Sequence, residues 1–409
     1  MLEAVSQPVF NPFDPAFRAN PYPFYDALRE LDPVHTTPFG TIVLTRYDDI
    51  AYTLRSNDFS RDIEANANEP TDPLNKAKRD RRRGREGAKS ILNLDPPDHT
   101  RLRRLVSKAF TPSAIEKLRG RVQQLVDEVL DEAAARGGME LIDELAFPIP
   151  FQVISDLLAM PTDRADEMRE WSQIITQNLE PTSTLDDLDK SDEVFGLLIP
   201  YLLNVIEDRR KHPGDDLLSA LISVEEDGDV LSLPELISFV VLLYIAGHET
   251  TVNLIGNSIN TLLAHPDQLA RWHADPGIGS RAVDECLRMD GPVQQTVRVP
   301  LVPVTYQGIN GPVVARPGTI VTTVLGAANH DPAVFTDPHR LDLGRDNANR
   351  HLALAAGIHY CLGANLARLE AEVAVGSLVA RFPSMKATGA ITWRDRLTIR
   401  GVDHLELSF

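Results

Sequence analysis

Apolar positions recur along most of the chain at the three-to-four-residue spacing of amphipathic helices, and the longest such pattern lies past the middle. Ser232-Leu233-Pro234-Glu235 has the S-x-x-E form of a capping box with proline near the start, and the helical pattern then runs unbroken to about Ala264. At about 1.5 Å per residue this helix is roughly 45–50 Å long, enough to cross a whole domain. It is therefore predicted to be a core element. A second helical pattern follows Cys361, carried by Leu362, Leu366, Leu369, Val373 and Val379 and closed by Pro383.

Elsewhere the elements are shorter. Prolines punctuate the first residues until a helix is predicted from Pro23 to Leu31. Val34 to Thr37 and Thr41 to Leu44, separated by Pro38-Phe39-Gly40, read as a hairpin, and a helix from Tyr47 to Arg55 follows. Pro96 and Pro97 stop what precedes them, and Asp98 is placed to cap a helix in which His99 and Arg103 share a face. From Ala114 to about Arg210 successive amphipathic helices are joined by turns such as Pro148-Ile149-Pro150 and Pro161-Thr162. A helix carries Glu285 and Arg288 one turn apart, and Pro292 to Arg298 leads from it into strands. No Gly/Ser-rich linker divides the chain, so residues 1–409 are expected to form a single domain, mainly α with a small β lobe.

Composition narrows the classes. With 43% hydrophobic residues the chain can build a sizeable core, and a net charge of −18 argues against nucleic acid as a partner. Two cysteines far apart give no disulfide framework, which fits a reducing cytoplasm. The stretch MLEAVSQPVFNPFDP lacks the features of a signal peptide, and the longest apolar run, Phe239 to Ala246, falls short of the ~20 residues that span a bilayer. A soluble cytoplasmic protein without membrane association is expected. Lys76 to Lys89 carries eight basic residues against two acidic ones. It reads as a mobile solvated loop in preference to a docking site for acidic partners or substrate carboxylates.

The candidate chemistry lies in the two long helical patterns. Cys361 precedes a helix and is flanked by Gly357 and Gly363, which permit positive φ and close approach to a planar ligand. At a helix N-terminus a thiol's pKa is lowered, so Cys361 can serve as nucleophile or metal ligand; a small buried hydrophobe is the plain alternative. The central helix is interrupted by Ala246-Gly247-His248-Glu249-Thr250-Thr251. Burying these residues costs stability, about 1 kcal/mol for the glycine alone and more for an unpaired acid. Small residues admit a flat ligand, Thr250 can bond a ligand oxygen or open a local bulge, and Glu249 can feed protons to it. His248 is given only a solvent or groove role.

G-x-H-x-C-L-G running into A-N-L-A-R, from Gly357 to Arg368, resembles the haem-binding signature of the cytochrome P-450 monooxygenases, in which the cysteine is the axial iron ligand. A-G-x-E-T-T resembles that family's oxygen-activating segment, with Glu249 and Thr250 delivering protons for heterolytic O–O cleavage. His99 and Arg103 are similar to the pair that holds a haem propionate, and Arg298 and His359 match further propionate contacts. Glu285 and Arg288, joined by Arg345, match the buried group that fixes the proximal fold, while Cys286 is expected to be a structural thiol. The chain departs from the pattern where the family usually has Phe-Gly and it has Leu354-Ala355, and where Leu341 replaces a common Phe.

The resemblance implies haem b between the central helix and the Cys361 loop, approached closely at Ala246, Gly357 and Gly363. It implies a distal cavity lined by Leu243, Ala246, Gln294, Gln295, Thr296, Leu397, Thr398 and Ile399. The implied reaction inserts one atom of dioxygen into an apolar organic substrate, by hydroxylation or epoxidation. Electrons come from NAD(P)H through a reductase and a ferredoxin or flavodoxin, docking on a patch that includes Arg101, Arg104 and Lys108. A hydrogen-peroxide-dependent peroxygenase, a non-catalytic haem sensor and a haem-free cysteine-nucleophile enzyme remain alternatives.

Overall fold

The computed structural model describes residues 9–84, 87–107, 110–223, 225–226 and 229–409. The expected central helix spans Leu233–Ala264, and both halves of its capping box are closed, Ser232 to the Glu235 N–H and the Glu235 carboxylate to the Ser232 N–H. It packs against helices Pro148–Leu158, Gly279–Asp290 and Ala364–Arg381, so the main hydrophobic core forms around it. By length and composition it resembles a membrane span, yet 72% of its most apolar window is buried inside the protein. Its apolar character belongs to a core helix.

The β lobe is a five-stranded sheet in the order Val34–Thr36, Ile42–Leu44, Val321–Val324, Gln295–Pro300, Phe59–Ser60. The predicted hairpin supplies its first two strands, with Val34 opposite Leu44. Phe59–Ser60 pairs antiparallel with Gln295–Pro300, placing Ser60 opposite Val299. A further short strand, Gly138–Glu140, falls inside the stretch expected to be all helical and pairs with Glu406–Ser408 near the C-terminus. Pro148-Ile149-Pro150 is the first turn of a helix instead of a connecting turn; proline suits this position because the first helical N–H groups need no intrahelical acceptor.

The basic segment also differs from expectation. Arg85 and Glu86 lie outside the described residues, but residues 73–83 form a helix, Pro73–Arg83, capped by Asp72. Lys78 and Arg79 are both 5% exposed. Arg79 donates to the carbonyls of Asn68, Ala67 and Glu64 at 2.5, 2.8 and 3.0 Å. Lys78 reaches the Ser183 carbonyl, Arg81 pairs with Asp189 and Asp192, and Arg83 pairs with Glu69. An otherwise acidic chain has supplied its own counterions, so this segment is a packed helix joined to helix Leu185–Lys211.

Candidate active site

The helix after Cys361 begins only at Ala364, leaving the cysteine in a loop that opens with the short turn Gly357–His359. The Cys361 N–H donates to the Leu354 carbonyl at 3.0 Å. Arg103 grips the loop through the Tyr360 carbonyl at 2.8 Å, and Arg368 grips it through the Tyr360 hydroxyl at 3.0 Å. Burial pushes the Cys361 thiol up, against a hydrogen bond from the Gly363 N–H and the charges of Arg103 and Arg368, which pull it down. The expected lowering by the helix terminus is therefore outweighed. A thiol held protonated is a poor nucleophile, whereas a bound metal displaces its proton outright.

The flanking glycines serve different ends. Gly357 has φ +71°, and a Cβ there would strike the Leu54 carbonyl, so close packing on helix Tyr47–Arg55 requires it. Gly363 has an ordinary φ of −84° and contributes its N–H to the sulfur, which corrects the expectation of positive φ at both. Ala355 occupies the left-handed region at φ +59°. Ala355→Gly is expected to raise the thermal-unfolding midpoint. Relief of ~1–2 kcal/mol of strain exceeds the ~0.4–1 kcal/mol of unfolded-state entropy that glycine adds. A lower midpoint would show that the loop bears no such strain.

Beside this loop the structure gathers arginines and imidazoles. The rings of His99 and His359 lie 4.3 Å apart. His99 Nδ1 and His359 Nε2 are buried without a partner among the described residues. Among the described residues Arg298, 3% exposed, bonds only its own strand, donating to the Val297 carbonyl at 2.8 Å and to Thr296 Oγ1 at 3.4 Å. Burial, with the neighbouring positive charge of Arg61, pushes Arg298 down to about 9. Burial followed by Arg298, His99, Arg61 and Arg103 pushes His359 down to about 3. Arg61 was not apparent in the sequence as a site residue. It enters because Ser60 lies opposite Val299, which sets Arg61 beside Arg298 across two strands, a pairing with no local signal. Buried like charges and orphaned ring nitrogens are costly, and a pair of carboxylates satisfies both. The cradle fits the two propionates of a haem.

On the central helix Ala246 is exposed among buried neighbours and Thr250 is half-buried, so this side borders open space, while Gly247 packs closely against Ile154. Thr250 Oγ1 donates to the Ala246 carbonyl at 2.9 Å, and Thr251 Oγ1 to the Gly247 carbonyl at 3.3 Å. The helix stays regular here, which leaves bonding a ligand oxygen as the open role, and the Thr250 oxygen keeps its lone pairs for an incoming donor. Glu249 is 2% exposed and pairs with Arg394, with Arg396 Nη1 at 3.7 Å. His248 is fully buried rather than in a groove: its nitrogens meet the Tyr244 carbonyl at 2.6 Å and Ser172 Oγ at 3.1 Å, and burial holds it neutral. It pins helix Ala165–Gln177 to the central helix.

The cytochrome P-450 family model matches residues 43–275 and 280–388. Cytochrome P-450 107B1 of Saccharopolyspora erythraea is 40% identical over 401 residues, 96% of each chain. The 6-deoxyerythronolide B hydroxylase of the same organism is 41% identical over 315 residues, 76% of each. The ligand-free crystal structure of Mycobacterium smegmatis CYP164A2 superposes with a TM-score of 0.87 at 38% identity, covering 97% of this chain and 98% of that one. The chain belongs to the cytochrome P-450 family. Its cofactor is haem b, and it is a haem-thiolate monooxygenase that draws electrons from NAD(P)H through redox partners.

In this cytochrome P-450 the expected proximal group is assembled. Arg288 donates to both Glu285 oxygens at 2.7 and 2.8 Å, and Arg345 Nε donates to Oε1 at 3.1 Å. The arginines also hold the carbonyls of Asn329, Pro338, Thr336 and Arg340, which ties down the meander before the cysteine loop. Removing one member of so buried a group costs about 3–5 kcal/mol. Cys286 is buried, and its thiol is pushed up to about 12 by burial, as a structural cysteine requires.

The proposed lining residues divide. Leu243 is buried on the central helix, and Gln295 Nε2 donates to Thr398 Oγ1 at 3.0 Å, joining two lining segments. Gln294 instead bonds the Tyr22 hydroxyl and the Gly291 carbonyl, and Leu397 packs with Phe17, Tyr25 and Val324. Both side chains are engaged in the N-terminal packing. Of the expected basic docking patch, Arg101 pairs with Glu235 at the start of the central helix, and Lys108 lies outside the described residues.

Proposed function

We propose that Cys361 is the axial ligand of the haem iron and that His99, Arg103, Arg298 and His359, with Arg61 added, receive the propionates. The observation that carries this is the cation cradle with its two orphaned imidazole nitrogens, placed beside the cysteine loop. Haem supplies oxygen activation, favoured by electron density from its thiolate. The chain's own residues shape the rest. Ala246 leaves room for a flat group, Thr250 presents its hydroxyl on the open face, and Glu249, paired with Arg394, is the acid–base group that exchanges protons with it. One oxygen atom enters a substrate C–H or C=C bond, and the other leaves as water with two electrons and two protons.

The proposed substrate is a small to medium apolar organic molecule, hydroxylated or epoxidised; the relative named for 6-deoxyerythronolide B supports this class. The proposed donors are a ferredoxin or flavodoxin and its reductase. They meet the face where Ile358 and Tyr360, 44% and 40% exposed, flank the cysteine, with Arg104 on the adjoining helix. The protein is assigned to the cytoplasm, with no membrane or nucleic acid as partner. Screening compound classes for a spin-state change of the ferric haem, then measuring product per NAD(P)H with a ferredoxin pair, tests the reading. Product formed with hydrogen peroxide but not with the electron chain would favour a peroxygenase.

A further inference from the structure

The connector between helices Ala165–Gln177 and Leu185–Lys211, residues 178–184, carries a buried acid that the reaction described above does not use. Glu180 is 3% exposed. Its carboxylate accepts three successive main-chain N–H groups: Oε2 from Leu397 at 2.9 Å and Thr398 at 2.8 Å, Oε1 from Ile399 at 3.0 Å. A carboxylate so bonded is a strong, directional anchor, because each bond is charge-assisted and shielded from water. The turn it holds has its other side on the sheet, where the Thr398 carbonyl accepts from the Gln294 N–H at 3.0 Å and Ile399 bridges to Val293. Without Glu180, three adjacent buried donors lose their acceptor.

Two further sets of contacts make this connector a junction. Lys78 and Arg82 of the basic helix reach the carbonyls of Ser183 and Asn178, the latter at 3.3 Å, and clamp the connector from outside. On the inner side, Arg396 donates to Thr176 Oγ1 and to the Gln173 carbonyl, both at 2.9 Å, while lying 3.7 Å from Glu249. The end of helix Ala165–Gln177, the turn at 397–399 and the relay acid therefore share one polar network.

We propose that Glu180 is a positioning residue that fixes the turn at 397–399 against the distal cavity and, with Arg396, couples that turn to helix Ala165–Gln177. The proposal rests on the reading that Thr398 and Ile399 line the cavity. A displacement of the helix end moves Glu180, and with it the main chain that presents Thr398 and Ile399. The chain thus has a means of making cavity shape follow the position of the overlying helices.

The test compares haem-loaded wild type with Glu180→Gln, which keeps the size but turns an amide donor toward main-chain N–H groups, and Glu180→Asp, which keeps the charge. Amide hydrogen exchange at 397–399 is expected to be at least about tenfold faster in the Gln variant, the scale of losing charge-assisted bonds. Exchange in the Asp variant is expected to fall between the two. Imidazole and 4-phenylimidazole are the probes: the first needs only the iron, the second fills the cavity. Selective weakening of 4-phenylimidazole supports the proposal. Unchanged exchange overturns it, and faster exchange with both probes weakened equally overturns the link to the cavity. Wild type without a haem spectrum would sink the functional reading instead, while exchange still decides whether Glu180 holds the turn.

Discussion

Cys361→Ser is expected to abolish the strongly red-shifted Soret band of the ferrous carbonyl complex and to lower product formation at least about 100-fold, since even outer-shell partners of a metal act on a 10–100-fold scale. Serine is close in size, and the loop is held independently by Arg103, Arg368 and the Leu354 carbonyl. The fold should therefore survive the change. The substitution separates ligation from packing: loss of the band with an unaltered unfolding midpoint is the outcome that a purely structural cysteine would not give. Survival of the red shift would remove the thiolate assignment. The raised thiol pKa sharpens the contrast with a nucleophile, because burial disfavours the free thiolate whereas a bound metal would take the proton's place.

What could be read from the chain depended on whether the partner of a residue lies nearby in sequence. The capping box of the central helix, the Val34–Thr36 hairpin and the Glu285–Arg288 contact are local and stand where expected. The cysteine signature, the Ala246-to-Thr251 segment and the His99–Arg103 pair were legible because each is a compact pattern. Partnerships across the chain were not. Arg61 meets Arg298, and Glu249 meets Arg394, only because distant strands and turns are folded together. The basic helix looked solvated since two of its acids, Asp189 and Asp192, are over 100 residues away. His248 looked like a groove residue since Ser172, its buried partner, comes from another helix.

The missing aromatics have a physical resolution. Leu341 is fully buried in the main core, and Leu354 packs against the same core while its carbonyl receives the Cys361 N–H. Aliphatic side chains thus fill the space beside the cysteine loop, and the loop's backbone bond is kept. The left-handed backbone at Ala355 remains as the local cost of lacking glycine there.

Thr250→Ala is expected to leave oxygen consumption largely intact but to cut product per NAD(P)H about tenfold or more, with hydrogen peroxide making up the difference. The Thr250 hydroxyl is tied to the Ala246 carbonyl as donor, so its role toward an incoming water or oxygen is as acceptor and positioner on the open face. Alanine removes that role while preserving helix propensity, which makes a stability effect small. Glu249→Gln acts one step further back. It is expected to slow overall turnover on the ~10²-fold scale of a lost acid–base group and to raise the solvent deuterium isotope effect. It also leaves Arg394, in a nearly buried site, with only the exposed Asp403 as its carboxylate partner, which lowers stability. Arg394→Gln in the Glu249→Gln background separates these effects: it should restore stability without restoring turnover. Fully coupled product formation by Thr250→Ala would place proton delivery elsewhere in the protein.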